Sequence, residues 1–535
     1  MSQHVVADDQ RAGSAPAAEV PGTTGRRGNP WWALVSVALG VIMVGLDGTV
    51  VSIANPRIAD DLGASLVDLQ WITNSYLLAL AALLIFGGNL GDRYGRKRIF
   101  LIGVVGFGLS SLAIGLVGNI VGIIVFRAVQ GAFGALLMPN TLAILRGAFP
   151  ARELNRAIGI WSGASSVSIA GGPIIGGLLV EHVSWESVFY INVPMGALAL
   201  GVGLAVLRES QSEGDRQRHD LPGILTLSGG LFGVIFGLIK AASWGWTDAK
   251  TLGFVLAGLA VLALFVVIET RVPAPLLPMR LFRNRSISAS SAVLVINFFA
   301  LFGVLFFVTL YLQNVRDISP IGTGVRILPL SLVMMVMGPI SGRVTERFGP
   351  RPPMVVGLVL SGTALLLLTR LETGSGFGAL WPSLLMLGIG MGLVITSSAE
   401  AIIGNAPIDD AGVAGGLQTT ALQLGGVVGT AVLGSVLSSR VGSVLFDKLT
   451  VAGAPADVAN RLTGSNELIS QGVAPAVADA SPSTQDAVTA GSHAAFMTGL
   501  HTSLVVAGIA TLVAALLALL VQRGEHHDGA PVMVH

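Results

Sequence analysis

The 535-residue sequence contains no cysteine. Disulfides, thiolate metal sites and cysteine nucleophiles are excluded together. Charge is scarce too: Asp, Glu, Lys and Arg make up 11% of the chain, under half the roughly 25% of an average soluble domain. Only four lysines occur, against twenty-seven arginines, amid abundant Ala, Gly and Val, a bias that fits a GC-rich bacterial genome. None of the four follows a glycine, so the glycine-lysine turn of a phosphate-binding loop is missing and ATP hydrolysis is not expected. GIGMG at 388–392 could pass for a nucleotide turn, but it lies inside an apolar run with no strand before it. Histidines and carboxylates form no cluster, which argues against a membrane-embedded enzyme and against a metal or other cofactor. Net charge is +1, too small for a global field directed at nucleic acid.

Apolar runs are what the chain has instead. They recur from Trp31 to Val521 at about 20 residues each, the length a helix needs to cross a bilayer. The sequence predicts spans near 31–54, 71–91, 99–117, 119–141, 157–180 and 187–207, then a polar break, RESQSEGDRQRHD, at 208–220. Further spans are expected near 221–240, 250–269, 287–313, 323–342, 352–370, 378–403, 412–438 and 496–521. That makes fourteen, an all-α membrane protein; the split between the third and fourth rests on Gly118-Asn119. With the N-terminus inside, the inner segments carry 21 of the 31 Lys and Arg and the outer segments 9, with Arg127 inside a span. Positive charge is retained on the cytoplasmic side, so both termini are expected in the cytoplasm of a multi-pass inner-membrane protein. Residues 1–30 and 522–535 read as cytoplasmic tails; the first has no apolar stretch and is not a cleavable signal. The longest outer segment, about 441–494, is rich in Ala, Ser, Asp and Pro and reads as a solvated loop with room for some helix; a substrate-gating cap is the alternative, which nothing in its composition favours.

One stretch repeats. GNLGDRYGRKR at 88–98 aligns with GRVTERFGPRP at 342–352 at a constant offset. Gly88 matches Gly342, Asp92 matches Glu346, Arg93 matches Arg347 and Gly95 matches Gly349. The copies follow the second and tenth spans, so two six-helix halves, 31–207 and 287–521, flank a linker, 208–286, that carries two additional helices. With these residues in view, the chain resembles the major facilitator superfamily, in its fourteen-helix drug:proton antiporter branch. Residues 88–98 match the superfamily loop pattern G-x-L-x-D-R-x-G-R-K. LDGTVVSIANP at 46–56, FRAVQGAFGA at 126–135 and GIWSGASSVSIAGGPIIGG at 159–177 resemble that branch's first-, fourth- and fifth-helix motifs. Ser52, Asn55, Ser168 and, in SWESVFYINVP at 184–194, Glu186 depart from the usual residues.

Two charges sit deep within spans, Asp47 and Arg127. A central carboxylate costs roughly 2.5–3.5 kcal/mol on insertion scales, so Asp47 calls for a partner or a cavity. Arg127 lies at a similar depth in the fourth span. The resemblance implies that the first and fourth helices line one central cavity. Asp47 is therefore expected to carry the coupling proton with Arg127 tuning it, against the plainer reading of a static ion pair. Gln130 shares Arg127's helix face and could hydrogen-bond either the arginine or cargo; Gln418 and Gln423 in the thirteenth span, which also has Thr419 but no carboxylate, are further candidates for cargo contact. Glu400, near the inner end of the twelfth span, reads as structural, with a second proton carrier as the alternative, and His501, at the start of the last span, as interfacial. The resemblance further implies a conformational latch at the paired inner loops (Gly88, Asp92, Arg93, Gly95, Arg96; Glu346, Arg347, Gly349). The alternative is that their cations only enforce topology and touch lipid headgroups. It implies also that the fifth helix, kinked at Pro173 and lined by Gly159, Gly172, Gly176 and Gly177, goes with export in exchange for protons.

Together these readings predict a monomeric, proton-coupled exporter of a small amphipathic compound such as a drug, antibiotic or secondary metabolite, with membrane lipids as its surroundings. Alternating access would come from two halves rocking about a central site. An uptake symporter of the same fold and a non-transporting membrane sensor are the rival functions. The cargo itself is not legible.

Overall fold

The structure is a computed structural model that describes residues 29–210, 220–273, 275–407, 411–477 and 480–522. The two expected tails and most of the polar break lie outside the described residues. Among the described residues there are no strands, and fourteen long helices organise the chain. They are α1 (Pro30–Leu62), α2 (Leu66–Tyr94), α3 (Arg96–Leu116), α4 (Ile120–Ala148), α5 (Ala151–His182), α6 (Asn192–Val206) and α7 (Leu221–Trp244). There follow α8 (Ala249–Glu269), α9 (Arg285–Leu310), α10 (Pro320–Phe348), α11 (Arg351–Leu368), α12 (Phe377–Ile403), α13 (Ala411–Val451) and α14 (Pro482–Ala518). Thirteen are long and apolar enough to cross a membrane, α6 together with the helical turn that precedes it. The remaining one, α5, stands where the fifth span is expected and packs against α1 and α10.

Local chemistry ends and starts these helices. Asn29 caps α1 with Pro30 at its first turn, and Gly63, in the left-handed region, closes it. Ser65 and Asp68 then form a reciprocal capping box for α2. The break at Gly118-Asn119 is real: the Asn119 side chain accepts a hydrogen bond from the Gly122 amide at 2.8 Å and opens α4. The two repeat copies close their helices alike. Gly95 has φ +108° and Gly349 φ +79°, conformations only glycine adopts cheaply. Arg93 lies over the Tyr94 ring, and Arg347 over the Phe348 ring, each at 5.3 Å.

Short links make successive helices alternate, so the bundle has two faces. One bears the Gly95 and Gly349 turns (the turn face). The other bears Gly63 and the connection 452–481 (the cap face). The inserted pair, α7 and α8, packs on itself and docks through α7 on α2 and α13. The Ser435 hydroxyl of α13 donates to the Leu238 carbonyl, and Trp246 Nε1 to the Ser439 hydroxyl.

The segment expected as a solvated loop is more ordered than its composition suggested. α13 runs on to Val451 and α14 begins at Pro482, with short helices at Ala456–Leu462 and Asn466–Ile469 between them. Leu445, Leu449, Val458, Ile469 and Val488 are buried in the same apolar core as Ile53 and Leu69. Alanine-rich polar sequence concealed an apolar face that the bundle's end covers.

The halves meet toward the cap face. Five hydrogen bonds join them there: Gln70 to the Thr430 carbonyl, Thr430 to Asn74, Gln313 to the Ile53 carbonyl, the Ile321 amide to Glu181, and Gln471 to the Ala64 carbonyl. Small residues permit the approach. A Cβ on Gly324 would stand 2.2 Å from the Pro173 carbonyl oxygen, and one on Gly177 would stand 2.7 Å from that of Pro320.

Candidate functional site

Asp47 projects from the middle of α1 into the first six-helix bundle and is fully buried. Its Oδ2 pairs with Arg127 Nη1 from α4 at 2.5 Å. Its Oδ1 accepts from Gln130 Nε2 at 2.8 Å and from Asn192 Nδ2 of α6 at 3.0 Å. Ser111 on α3 closes the set, accepting from Gln130 at 2.7 Å and from Asn192 at 3.2 Å. Arg127 is held from four sides. It donates from Nε to the Ile72 carbonyl at 3.0 Å and from Nη1 to Gln130 Oε1 at 2.7 Å, and lies over the Tyr76 ring at 4.2 Å and the Phe189 ring at 5.8 Å. Four helices thus supply one polar cluster that occupies both Asp47 oxygens, while Asn192 Oδ1 has no partner among the described residues. A carboxylate with both oxygens occupied by donors is tolerated where a bare one is not.

The cluster borders a cavity between the halves. Thr49, Ser52, Thr73, Tyr76 and Arg127 line it from the first half, and Phe302, Phe306 and Thr430 from the second. Arg127 and Tyr76 belong to both cluster and cavity, whereas Asp47 lies behind them. Hydroxyls, rings and one cation form the wall, a surface suited to amphipathic organic molecules.

The structure brings Asp47, Arg127 and Gln130 together, as their depths and spacing predict. Of the two partners expected of Gln130, the structure gives it the arginine, and its amide nitrogen donates to Asp47 and Ser111. Gln418 and Gln423 are half-buried on α13 and do not line this cavity. Five residues apart, they point about 140° from one another. His501 sits about twenty residues into α14, not at its start, and meets the Leu371 carbonyl at 2.7 Å near the cap face.

The repeat residues gather at the turn face. Arg96 pairs with Asp92 at 2.7 Å within the first copy. Gly88 and Gly91 let α2 approach α4: a Cβ on Gly91 would overlap the Asn140 amide at 1.6 Å. The backbone amides of Lys97 and Arg98, at the start of α3, donate to the Glu209 carboxylate at 3.0 and 3.2 Å. Lys97 Nζ reaches the Leu207 carbonyl at 2.6 Å. The first copy is thereby tied to the chain leaving α6. Along α5, a Cβ on Gly172 would strike Thr49 at 1.9 Å and one on Gly176 would strike Val50 at 2.6 Å. Gly172 and Gly176 seat the helix on α1, while Pro173 and Gly177 seat it on α10. The side-chain surroundings of Gly159 lie outside the described residues.

Sequence reasoning missed Ser111, Tyr76, Asn192, Phe302, Phe306, Thr430 and Glu209. Asn192 stood inside a quoted motif, SWESVFYINVP. Single serines and aromatics in apolar helices carry no periodic signal that would separate them from packing.

Two bundles, joined at one face and enclosing a charged cluster beside a cavity, define a membrane transporter of the alternating-access kind. The comparisons with known proteins identify it further. The chain belongs to the Major Facilitator Superfamily, whose family model matches residues 37–430. It is 47% identical over 510 residues to the tetracenomycin C resistance and export protein of Streptomyces glaucescens, covering 95% of this chain and 94% of that one. It is 32% identical over 496 residues to the multidrug efflux pump LfrA of Mycolicibacterium smegmatis, covering 92% and 97%. Among solved structures, a bacterial homologue of the human lysosomal transporter Spinster, inward-facing and unoccupied, superposes with TM-score 0.61. That match has 17% identity and covers 93% of this chain and 98% of the other. It shows the shared fold.

Proposed function

We propose that this protein exports a small amphipathic organic compound, of the antibiotic or drug class, in exchange for protons across the cytoplasmic membrane. The observation that carries the reading is the position of Arg127, shared between the Asp47 cluster and the cavity wall. Protonating Asp47 removes the charge that holds Nη1 and leaves the guanidinium to its remaining partners. Arg127, and with it Tyr76, then repositions at the cavity. Cargo and proton are coupled because each changes the same arginine. Gln130 and Asn192 are positioning residues that orient the Asp47 carboxylate. The relatives named as resistance and export proteins support the direction of transport, and the small-residue contacts of α5 with α10 provide a surface on which the halves can rock.

In this reading the turn face is cytoplasmic and both termini lie inside, with the cap face outside. The five cross-half bonds then close the outer side. The Asp92–Arg96 pair and the Glu209 cap latch the inner loop, and Glu346, Arg347 and Gly349 form its counterpart. The protein acts as a monomer. A susceptibility panel of amphipathic antibiotics tests the export reading, with expression expected to raise tolerance to at least one compound and a protonophore to restore that compound's accumulation. Unchanged accumulation of every compound would contradict it.

A further inference from the structure

The inserted helix pair ends at the turn face in two carboxyls that the transport mechanism does not use. Asp220 caps α7, its Oδ1 accepting from the Gly223 amide at 2.8 Å. Glu269 is the last residue of α8, and its Oε2 accepts from the Leu277 amide at 2.8 Å. Both are buried, with 6% and 3% of their surfaces exposed. The second oxygen of each, Asp220 Oδ2 and Glu269 Oε1, has no donor among the described residues. Those two oxygens converge: they lie 2.3 and 2.5 Å from the point where a Cβ on Gly223 would stand, and the side chains meet there.

Among the described residues no cation forms an ion pair with either carboxyl. Arg271, Arg280, Arg283 and Arg285, on the segment that follows, are exposed. α2 brings Asp92, which is engaged with Arg96, and Arg93, which is exposed. α13 carries no charge before Arg440. Arg216, Arg218 and His219 precede Asp220 outside the described residues. Two buried carboxylates in contact cannot both be ionised. The helix ends decide which one keeps a proton. Asp220 sits at a helix N-terminus, where negative charge is stabilised, and Glu269 at a C-terminus, where it is not.

We propose that Asp220 and Glu269 form a proton-binding carboxyl pair, with the proton on Glu269 Oε1 donated to Asp220 Oδ2, that clasps the inserted helices to the segment entering α9. Glu269 holds the Leu277 amide, and Leu276, Leu277 and Leu281 bury themselves in the core beside Ile224 and Leu227. Losing the proton sets two charges against each other and releases that segment. The pair is a proton site separate from Asp47, and it senses the pH at the turn face.

The cysteine-free chain allows a direct test. Leu277→Cys is labelled with a neutral maleimide in nanodiscs from pH 6 to 9, each rate divided by that of the unfolded chain at the same pH. Protection should fall at least tenfold across this range. In Glu269→Gln and in Asp220→Asn the amide mimics the protonated partner, so protection should stay flat. Equal pH dependence in all three backgrounds, or loss of protection at every pH in the variants, would overturn the proposal. Difference infrared spectra of the unsubstituted protein give a second readout. A protonated-carboxyl band should vanish on the alkaline side in the native chain but not in Glu269→Gln, and its absence from the native chain would equally contradict the clasp.

Discussion

Arg127 is the residue on which the account turns, because removing it strands a buried carboxylate. Arg127→Ala should lower unfolding stability by about 3–5 kcal/mol, measured by thermal melts in detergent. The double variant with Asp47→Ala should lose less than the two single losses added, since the residues share one network. Asn192→Leu removes a donor from both Asp47 and Ser111 and should cost about 1–3 kcal/mol. The wild-type melting temperature in Asn192→Leu would remove Asn192 from the cluster. The charged pair was legible in the sequence because charge in an apolar span is rare and two matching depths are rarer. Its neutral partners were not, since Ser111 and Asn192 look like any small polar residue on a helix. Gln130 was found for its face and for its arginine partner, but spacing cannot tell which way the rest of an amide turns between a carboxylate and a cavity.

Among the helices, the contacts between halves make the sharpest predictions. Asn74 and Thr430 touch through their side chains, in a chain with no cysteine of its own. Asn74→Cys with Thr430→Cys should form a disulfide under mild oxidation that stops export until it is reduced. Full export by the oxidised protein would show that this contact need not open. Gly324→Val places methyl groups against the Pro173 backbone and should slow that disulfide at least tenfold, by holding α10 off α5; an unchanged rate would contradict the close approach. Most of the element pattern could be read directly. Spans, the Gly118-Asn119 break and the repeated glycine turn follow from run length, a capping asparagine and positive φ. The 441–494 region was misjudged because its apolar face is made of scattered Ala, Val and Leu, which only the end of the bundle gathers into a core.

For the whole molecule, the asymmetry between halves matters most. The Asp47 cluster lies wholly within the first bundle, while the second contributes aromatic and hydroxyl wall to the cavity. Orientation is open to a simple check. Gly464→Cys, on the cap-face connection where a side chain meets open space, should be labelled from outside intact cells. Ser210→Cys should be labelled only after permeabilisation, and the reverse pattern would invert the assigned topology. The fold was legible at this scale because the repeat offset exposed two halves and an inserted pair. The cargo was not, because a wall of rings, aliphatic side chains, hydroxyls and one guanidinium singles out no one amphiphile.

The central claim is that Asp47 couples proton movement to export through Arg127. Energised everted vesicles, followed with a pH-sensitive dye, test it most directly when given the compound to which expression confers the greatest tolerance. Compound-dependent proton release is expected from vesicles carrying the native protein and none from vesicles carrying Asp47→Asn at equal expression. Full compound-dependent proton release with Asp47→Asn would contradict it.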